Sequence, residues 1–340
     1  MRITRLRAVQ PDAPTTPPDW RRVFGQILVV LDTDTGVRGF GVGGGGEAGI
    51  QIVERFLQPL LIGSDAHEVE ARWQEMYQAT LPFGRSGLAI MAISGVDLAL
   101  WDARGKAEAM SVAALLGGVH HPRVPCYATG ADPAAAVARG FRAVKLPLAR
   151  RGTTPEEAIE LVARTRDGIG LDVALMTDAG MQWNLEQSLR ATEGFAAHGV
   201  GWLEEPLPPD DLAGYAELSR RSPVAIAGGE HDYTAAGFRE LAAHRALAIW
   251  QPDVTWAGGM TQLRAIYEMA AEEGIRVCPH RGAEVWGLHA IAALDPAPLA
   301  ESGRPWITWL QGQSPIEDGF ITLPDRPGFG VEPAADLLGL

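Results

Sequence analysis

The chain has 340 residues and a formal net charge of −13, an acidic balance that works against nucleic acid and against an anionic membrane surface as partners. No run approaches the roughly 20 apolar residues of a membrane span, and MRITRLRAV at the N-terminus leads into no apolar core of signal length, so a cytoplasmic protein is the default expectation. The length suits one barrel plus a smaller companion domain, and the two cysteines, Cys126 and Cys278, lie in predicted strands and read as buried free thiols.

Residues 1 to about 45 read as antiparallel strands, ITRLRAV, GQILVVLDTD and GVRGFGVG, with Asp34-Thr35-Gly36 turning between the last two. Residues 11–23, rich in Pro and Asp, read as a loop. Gly43–Gly46 lacks the Lys-Ser/Thr of a phosphate loop and reads as a mobile loop instead. Amphipathic helices are expected over Ala48–Leu61 and Ser86–Ala109, the latter carrying Asp97 and Asp102 as structural partners. The expected division is an α+β capping domain over 1–120, a barrel over 121–314 and a tail over 315–340 that returns to the capping domain.

Beyond Pro125 the pattern becomes strand–helix alternation. Strand candidates are VPCYATG, FRAVKLPL, DVALMTD, GWLEEP, VAIAGGE, LAIWQPD, RVCPHRG and WITWL. Thr154-Pro155-Glu156-Glu157 predicts a capping-box helix start, and Asp132-Pro133 a shorter one. Eight strands with interleaved helices predict an α/β fold, a modified TIM barrel of (β/α)7β type whose last helix is missing.

Three of these strands end in a carboxylate at equal spacing: Asp178, Glu204 and Glu230, with 204 − 178 = 26 and 230 − 204 = 26. One acidic residue after a strand is ordinarily a helix cap or a solvated loop residue. Three in register at the C-terminal edge of a barrel converge and repel unless a cation sits between them, and an all-oxygen set favours Mg²⁺. Asp253 and His280 end the next two strands and can meet at the same rim, where a carboxylate on Nδ1 raises the basicity of Nε2 and makes His280 a candidate base. Lys145 ends the second strand and points toward the metal region. His231 follows Glu230 and is either an acid or hydrogen-bond donor to substrate, or a cap on the next helix. Glu301 reaches the site from the neighbourhood of the eighth strand. Glu205 is expected to point away by strand alternation. Such an assembly suits proton abstraction beside a carboxylate, with elimination of a β-hydroxyl to follow.

The stretches ISGVDLALWD, CYATGADP, KLPL, WLEEPLPPDD, GYAEL, GGEH, QPDVTWAGGMT, VCPH and DRPGFGVE, in order from about residue 85 to 332, resemble the enolase superfamily in its mandelate racemase-like branch. Within the branch they are most similar to L-rhamnonate dehydratases and related acid-sugar dehydratases. The resemblance implies Asp178, Glu204 and Glu230 as metal ligands, His280 with Asp253 as the dyad that removes the C2 proton, and His231 as acid for the departing hydroxyl. It implies Glu301 as a hydrogen-bonding partner of the substrate carboxylate and Lys145 as the first residue of a Lys-x-Lys motif. The motif's second position is Pro147, which argues for a base on one side only. The N-terminal segment is short for a rhamnonate dehydratase, and Arg85 is the substitute candidate for substrate binding. The implied activity is Mg²⁺-dependent dehydration of an aldonate to a 2-keto-3-deoxy acid, in a homo-oligomer, with no organic cofactor. The alternatives are an epimerase or racemase on the same scaffold, or a catalytically silent metal-binding relative.

Overall fold

The computed structural model describes residues 1–11, 20–148, 152–305 and 307–338. β1 (Ile3–Val9), β2 (Ile27–Thr33) and β3 (Arg38–Gly43) form an antiparallel meander. The expected 11–23 loop falls mostly outside the described residues, and its end, Arg21–Phe24, is a single helical turn. Glycines at every second position of β3 open a seam for the helix Leu88–Ala107. A Cβ on Gly39, Gly41 or Gly43 would strike Ala99, Gly95 or Met91 of that helix, residues spaced four apart. Strand period two therefore meets helix period four, and the two backbones touch directly.

The same seam corrects the reading of Gly43–Gly46 as a mobile loop. All four residues are buried, and Gly46 starts a helix with its Cα against the backbone of Val23. That helix runs to Leu61 through a π-helical stretch, Ile52–Leu57. Asp97 and Asp102 are structural: Asp97 accepts from the hydroxyl and backbone N–H of Thr261, while Asp102 accepts from the N–H groups of Phe40 and Phe329 and pairs with Lys106.

The barrel strands are β4 (Arg123–Thr129), β5 (Ala143–Pro147), β6 (Ala174–Asp178), β7 (Val200–Glu204), β8 (Ala225–Gly228), β9 (Ile249–Trp250), β10 (Arg276–Val277) and β11 (Ala300–Glu301). They pair in parallel in chain order, and β11 pairs with β4 to bring the end of the series back to its start. The eighth strand is therefore Ala300–Glu301 and not WITWL. Within that stretch, Leu310 begins a short antiparallel pairing with Glu332–Pro333, and Trp306 lies outside the described residues. The β-rich composition of WITWL is used at the edge of the molecule, while the chain reaches the barrel six residues earlier. The capping box at Thr154–Glu157 forms as expected, Asp132 caps Pro133–Ala138, and helix Gly259–Glu273 ends on Gly274 at φ 67.

The tail threads between the parts. Phe320–Thr322 adds antiparallel to β4, and Gly328 bridges to Ser111. No helix of the described residues is long and apolar enough to cross a membrane. Both cysteines are free and buried.

Candidate active site

Side chains inside the barrel stack in layers from alternate strands. The lower layers are apolar: Ala143, Trp202 and Ile249 with Leu299 beneath, then Tyr127, Met176, Ala227 and Cys278. The layer above is polar and consists of Lys145 from β5, Glu204 from β7, Gln251 beyond β9 and Glu301 from β11, all buried. Lys145 Nζ lies 2.6 and 2.7 Å from the two oxygens of Glu204 and 2.8 Å from Glu301 Oε1. Burial alone would strip the ammonium of its proton, but Glu204 and Glu301 outweigh it and hold the Lys145 pKa above the usual lysine range. Burial pushes Glu204 up to about 8, against the pull of Lys145. For Glu301 the balance reverses. Despite burial, Lys145 and His280 hold its carboxyl well below the ordinary range.

The rim stands above this floor. Asp178 and Glu204 are direct register partners across β6 and β7, so two of the three expected ligands adjoin one another by construction. Asp178 Oδ1 accepts from the N–H of Gly180 at 2.9 Å, and burial raises its pKa. Glu230 lies against His280 Nδ1 and 3.7 Å from His231 Nδ1. His280 is enclosed, and burial followed by the nearby Arg281 guanidinium lowers its pKa well below the ordinary imidazole value.

His280 and Asp253 end neighbouring strands as expected, but their side chains take other partners. Asp253 Oδ1 accepts from the N–H and hydroxyl of Thr255 at 2.8 and 2.7 Å, and its Oδ2 faces Arg281 at 3.6 Å. Glu301 sits within β11 and accepts from the Thr129 hydroxyl at 2.5 Å and the Arg281 N–H at 2.8 Å. Thr129, Lys145, Asp178, His280, Arg281 and Glu301 line one cavity of about 240 Å³. Arg85 is not among its lining residues. It is exposed, in the turn ahead of helix Leu88–Ala107.

Glu205 departs from strand alternation. At φ 36 it turns back to the rim, and its Oε2 receives His231 Nδ1 at 2.7 Å. Burial opposes protonation of His231, but that bond and the Glu205 charge prevail and raise its pKa. The His231 ring stands edge-on to Trp256 at 5.7 Å, and Trp256 meets Trp20 of the cap at 6.0 Å. Arg281, Gln251 and Trp256 escaped the sequence reading although each lies within three residues of a residue it singled out, and Glu205 was expected to point away. Their roles depend on positive φ or on contacts across strands, which adjacency does not reveal.

The donor set fits a hard divalent cation. Asp178, Glu204 and Glu301 face the Lys145 ammonium, and Glu205 and Glu230 add two more carboxylates at the rim beside His231. Glu205, Glu230 and His231 also present ligand atoms within 4.8 Å of one another. Such a charge excess at an all-oxygen rim is what Mg²⁺ neutralises.

Comparison with known proteins bears on this geometry. Residues 130–337 match the family described as enolase C-terminal domain-like, and residues 21–117 match the mandelate racemase / muconate lactonizing enzyme N-terminal domain. The chain belongs to the enolase superfamily. Among relatives of this enolase superfamily member, a Caldivirga maquilingensis protein named "Putative L-rhamnonate dehydratase" is 35% identical, with 97% of this chain and 87% of that protein covered. A 3,6-anhydro-D-galactonate cycloisomerase from Zobellia galactanivorans superposes with a TM-score of 0.90 at 29% identity, over 100% of this chain and 99% of that one. A racemase from Streptomyces coelicolor A3(2), solved with bound magnesium, gives 0.89 at 32% identity, over 99% of each chain. The fold is thus that of the superfamily, a capping domain on an α/β barrel, and the superfamily is one of enzymes.

Proposed function

We propose that this chain is a Mg²⁺-dependent dehydratase of a sugar acid, an aldonate of L-rhamnonate type. It removes the C2 proton and the 3-hydroxyl and yields a 2-keto-3-deoxy acid. The observation that carries the reading is the pair of histidines that flank Glu230 on the rim, His280 against it and His231 3.7 Å from it with Glu205 bonded to its Nδ1. An elimination needs a base at C2 and an acid at the 3-hydroxyl, whereas a two-base racemisation needs its second group opposite His280 at C2, where Pro147 stands in place of the motif's second lysine. The relative named for L-rhamnonate dehydration supports the same choice.

Magnesium is the cofactor, and Asp178, Glu204 and Glu230 are the residues that would hold it. When bound, it supplies positive charge beside the substrate carboxylate, where charge grows as the C2 proton leaves. The remaining work falls to the chain. His280 takes the C2 proton. The Lys145 ammonium holds the substrate carboxylate end, and Glu301 anchors that ammonium in place. His231 gives its proton to the departing 3-hydroxyl, which leaves as water, and the enol formed tautomerises to the keto acid. Pro147 stands where a second base would be needed, so proton traffic at C2 is one-sided. Asp253 faces Arg281 at 3.6 Å rather than His280. Arg85 is placed for substrate contact only by rearrangement of its turn. The working division remains 1–120, 121–314 and 315–340, in a cytoplasmic homo-oligomer.

The test is incubation of the purified chain with a panel of aldonates and aldarates plus Mg²⁺, assayed for keto acid. Keto acid from a C5 or C6 aldonate is expected, and silence across the whole panel would remove the dehydratase reading. The second reading, an epimerase or racemase, is favoured by the Streptomyces coelicolor likeness. It predicts deuterium exchange at C2 with inversion and with the hydroxyl retained.

A further inference from the structure

Three members of the polar layer, Lys145, Glu204 and Glu301, are charged and enter the mechanism. The fourth is Gln251, 1% exposed. Its Nε2 donates to Glu204 Oε2 at 2.6 Å. A carboxylate accepts only from the nitrogen end of an amide, so this bond fixes which way the amide faces. The other end, Oε1, is buried with no hydrogen-bond partner among the described residues. A buried amide oxygen without a donor is costly, and native proteins keep one chiefly where a ligand or water completes it.

We infer that Gln251 is a positioning residue for the cation. Lys145 touches both oxygens of Glu204, at 2.6 and 2.7 Å. Left to itself this contact would draw the carboxylate wholly toward the ammonium. Gln251 pulls on Oε2 from two strands along, on the side of Glu204 away from Lys145, and leaves the carboxylate held between two donors in one orientation. A neutral side chain is the suitable choice there. A lysine would cancel charge that the cation requires, and a glutamate would repel Glu204. The unfilled Oε1 then serves as an acceptor for water or hydroxyl that enters with the cation.

The inference rests on the metal set proposed above, and the experiment separates the two. Mn²⁺ is titrated into the full-length protein without substrate and followed by electron paramagnetic resonance, for the wild type and for Gln251→Met, which keeps the length and loses both the hydrogen bond to Glu204 and the amide oxygen. The Mn²⁺ dissociation constant is expected to rise about 10- to 100-fold, while the ion-free melting temperature does not fall. Should the methionine variant fail to fold, Gln251→Asn, polar but too short to reach Glu204, takes its place with the same expectation. Wild type that binds with a variant of equal affinity overturns this inference alone, whether or not the melting temperature drops. Wild type that binds no Mn²⁺ overturns the metal set and this inference together.

Discussion

At the scale of single residues, the site works by giving like groups unlike surroundings. Two histidines on adjoining parts of one rim differ in enclosure and partner: His280 is enclosed against Glu230 near Arg281, and His231 is more open and bonded to Glu205. His280→Asn is expected to lower kcat by about 10²- to 10⁴-fold while Mn²⁺ binding and the circular dichroism spectrum stay as in wild type. A near-normal rate would remove His280 as the base. For His231→Asn the expected result is a split: C2 deuterium exchange persists while keto acid formation falls. If exchange disappears along with product, His231 is not the acid for the leaving group. Glu230→Gln should weaken Mn²⁺ binding and leave the fold intact, and unchanged affinity would exclude Glu230 as a ligand.

At the scale of elements, two kinds of local rule can be compared. The helix Pro155–Ile169 begins with a reciprocal capping box from Thr154 and Glu157. Thr154→Ala should cost about 1 kcal/mol of stability in denaturant titration. The glycine seam between β3 and helix Leu88–Ala107 leaves less tolerance. A Cβ on Gly41 would meet the Gly95 carbonyl and the Ala99 backbone rather than a flexible side-chain end. Gly41→Ala should therefore cost more, about 1–3 kcal/mol by overpacking. If the alanine at 41 proves milder than the alanine at 154, the close approach of strand and helix is wrong. The capping box was legible in advance because it is a contact between residues three apart. The seam was not, because the reason for Gly39, Gly41 and Gly43 lies some fifty residues downstream in Gly95 and Ala99.

At the scale of the whole molecule, His289 joins three distant segments. Its Nδ1 accepts from the N–H of Ala113 at 3.0 Å, and its Nε2 meets the carbonyl of Phe329 at 3.2 Å. Burial lowers its pKa from 6.5 to about 4. Between those two values the unfolded chain takes up a proton and the native protein does not. Stability is therefore complete above pH 6.5 and lost as pH falls toward 4, by a total of about 3 kcal/mol. His289→Gln should flatten that part of the stability curve, measured by chemical denaturation across the same range. A curve of unchanged slope would show that His289 is not its source.

What the residues alone determined was whatever depends on regular spacing. The 26-residue repeat of Asp178, Glu204 and Glu230 follows from the length of a βα unit, and the period of the strands follows from their alternation. Tertiary structure decided where the chain leaves that regularity. Glu205 and Arg281 turn at positive φ, Ala300–Glu301 replaces WITWL as the closing strand, and Asp253 faces Arg281. Each departure is a choice among contacts between segments far apart in the chain, and local pattern carries no information about which of those contacts prevails.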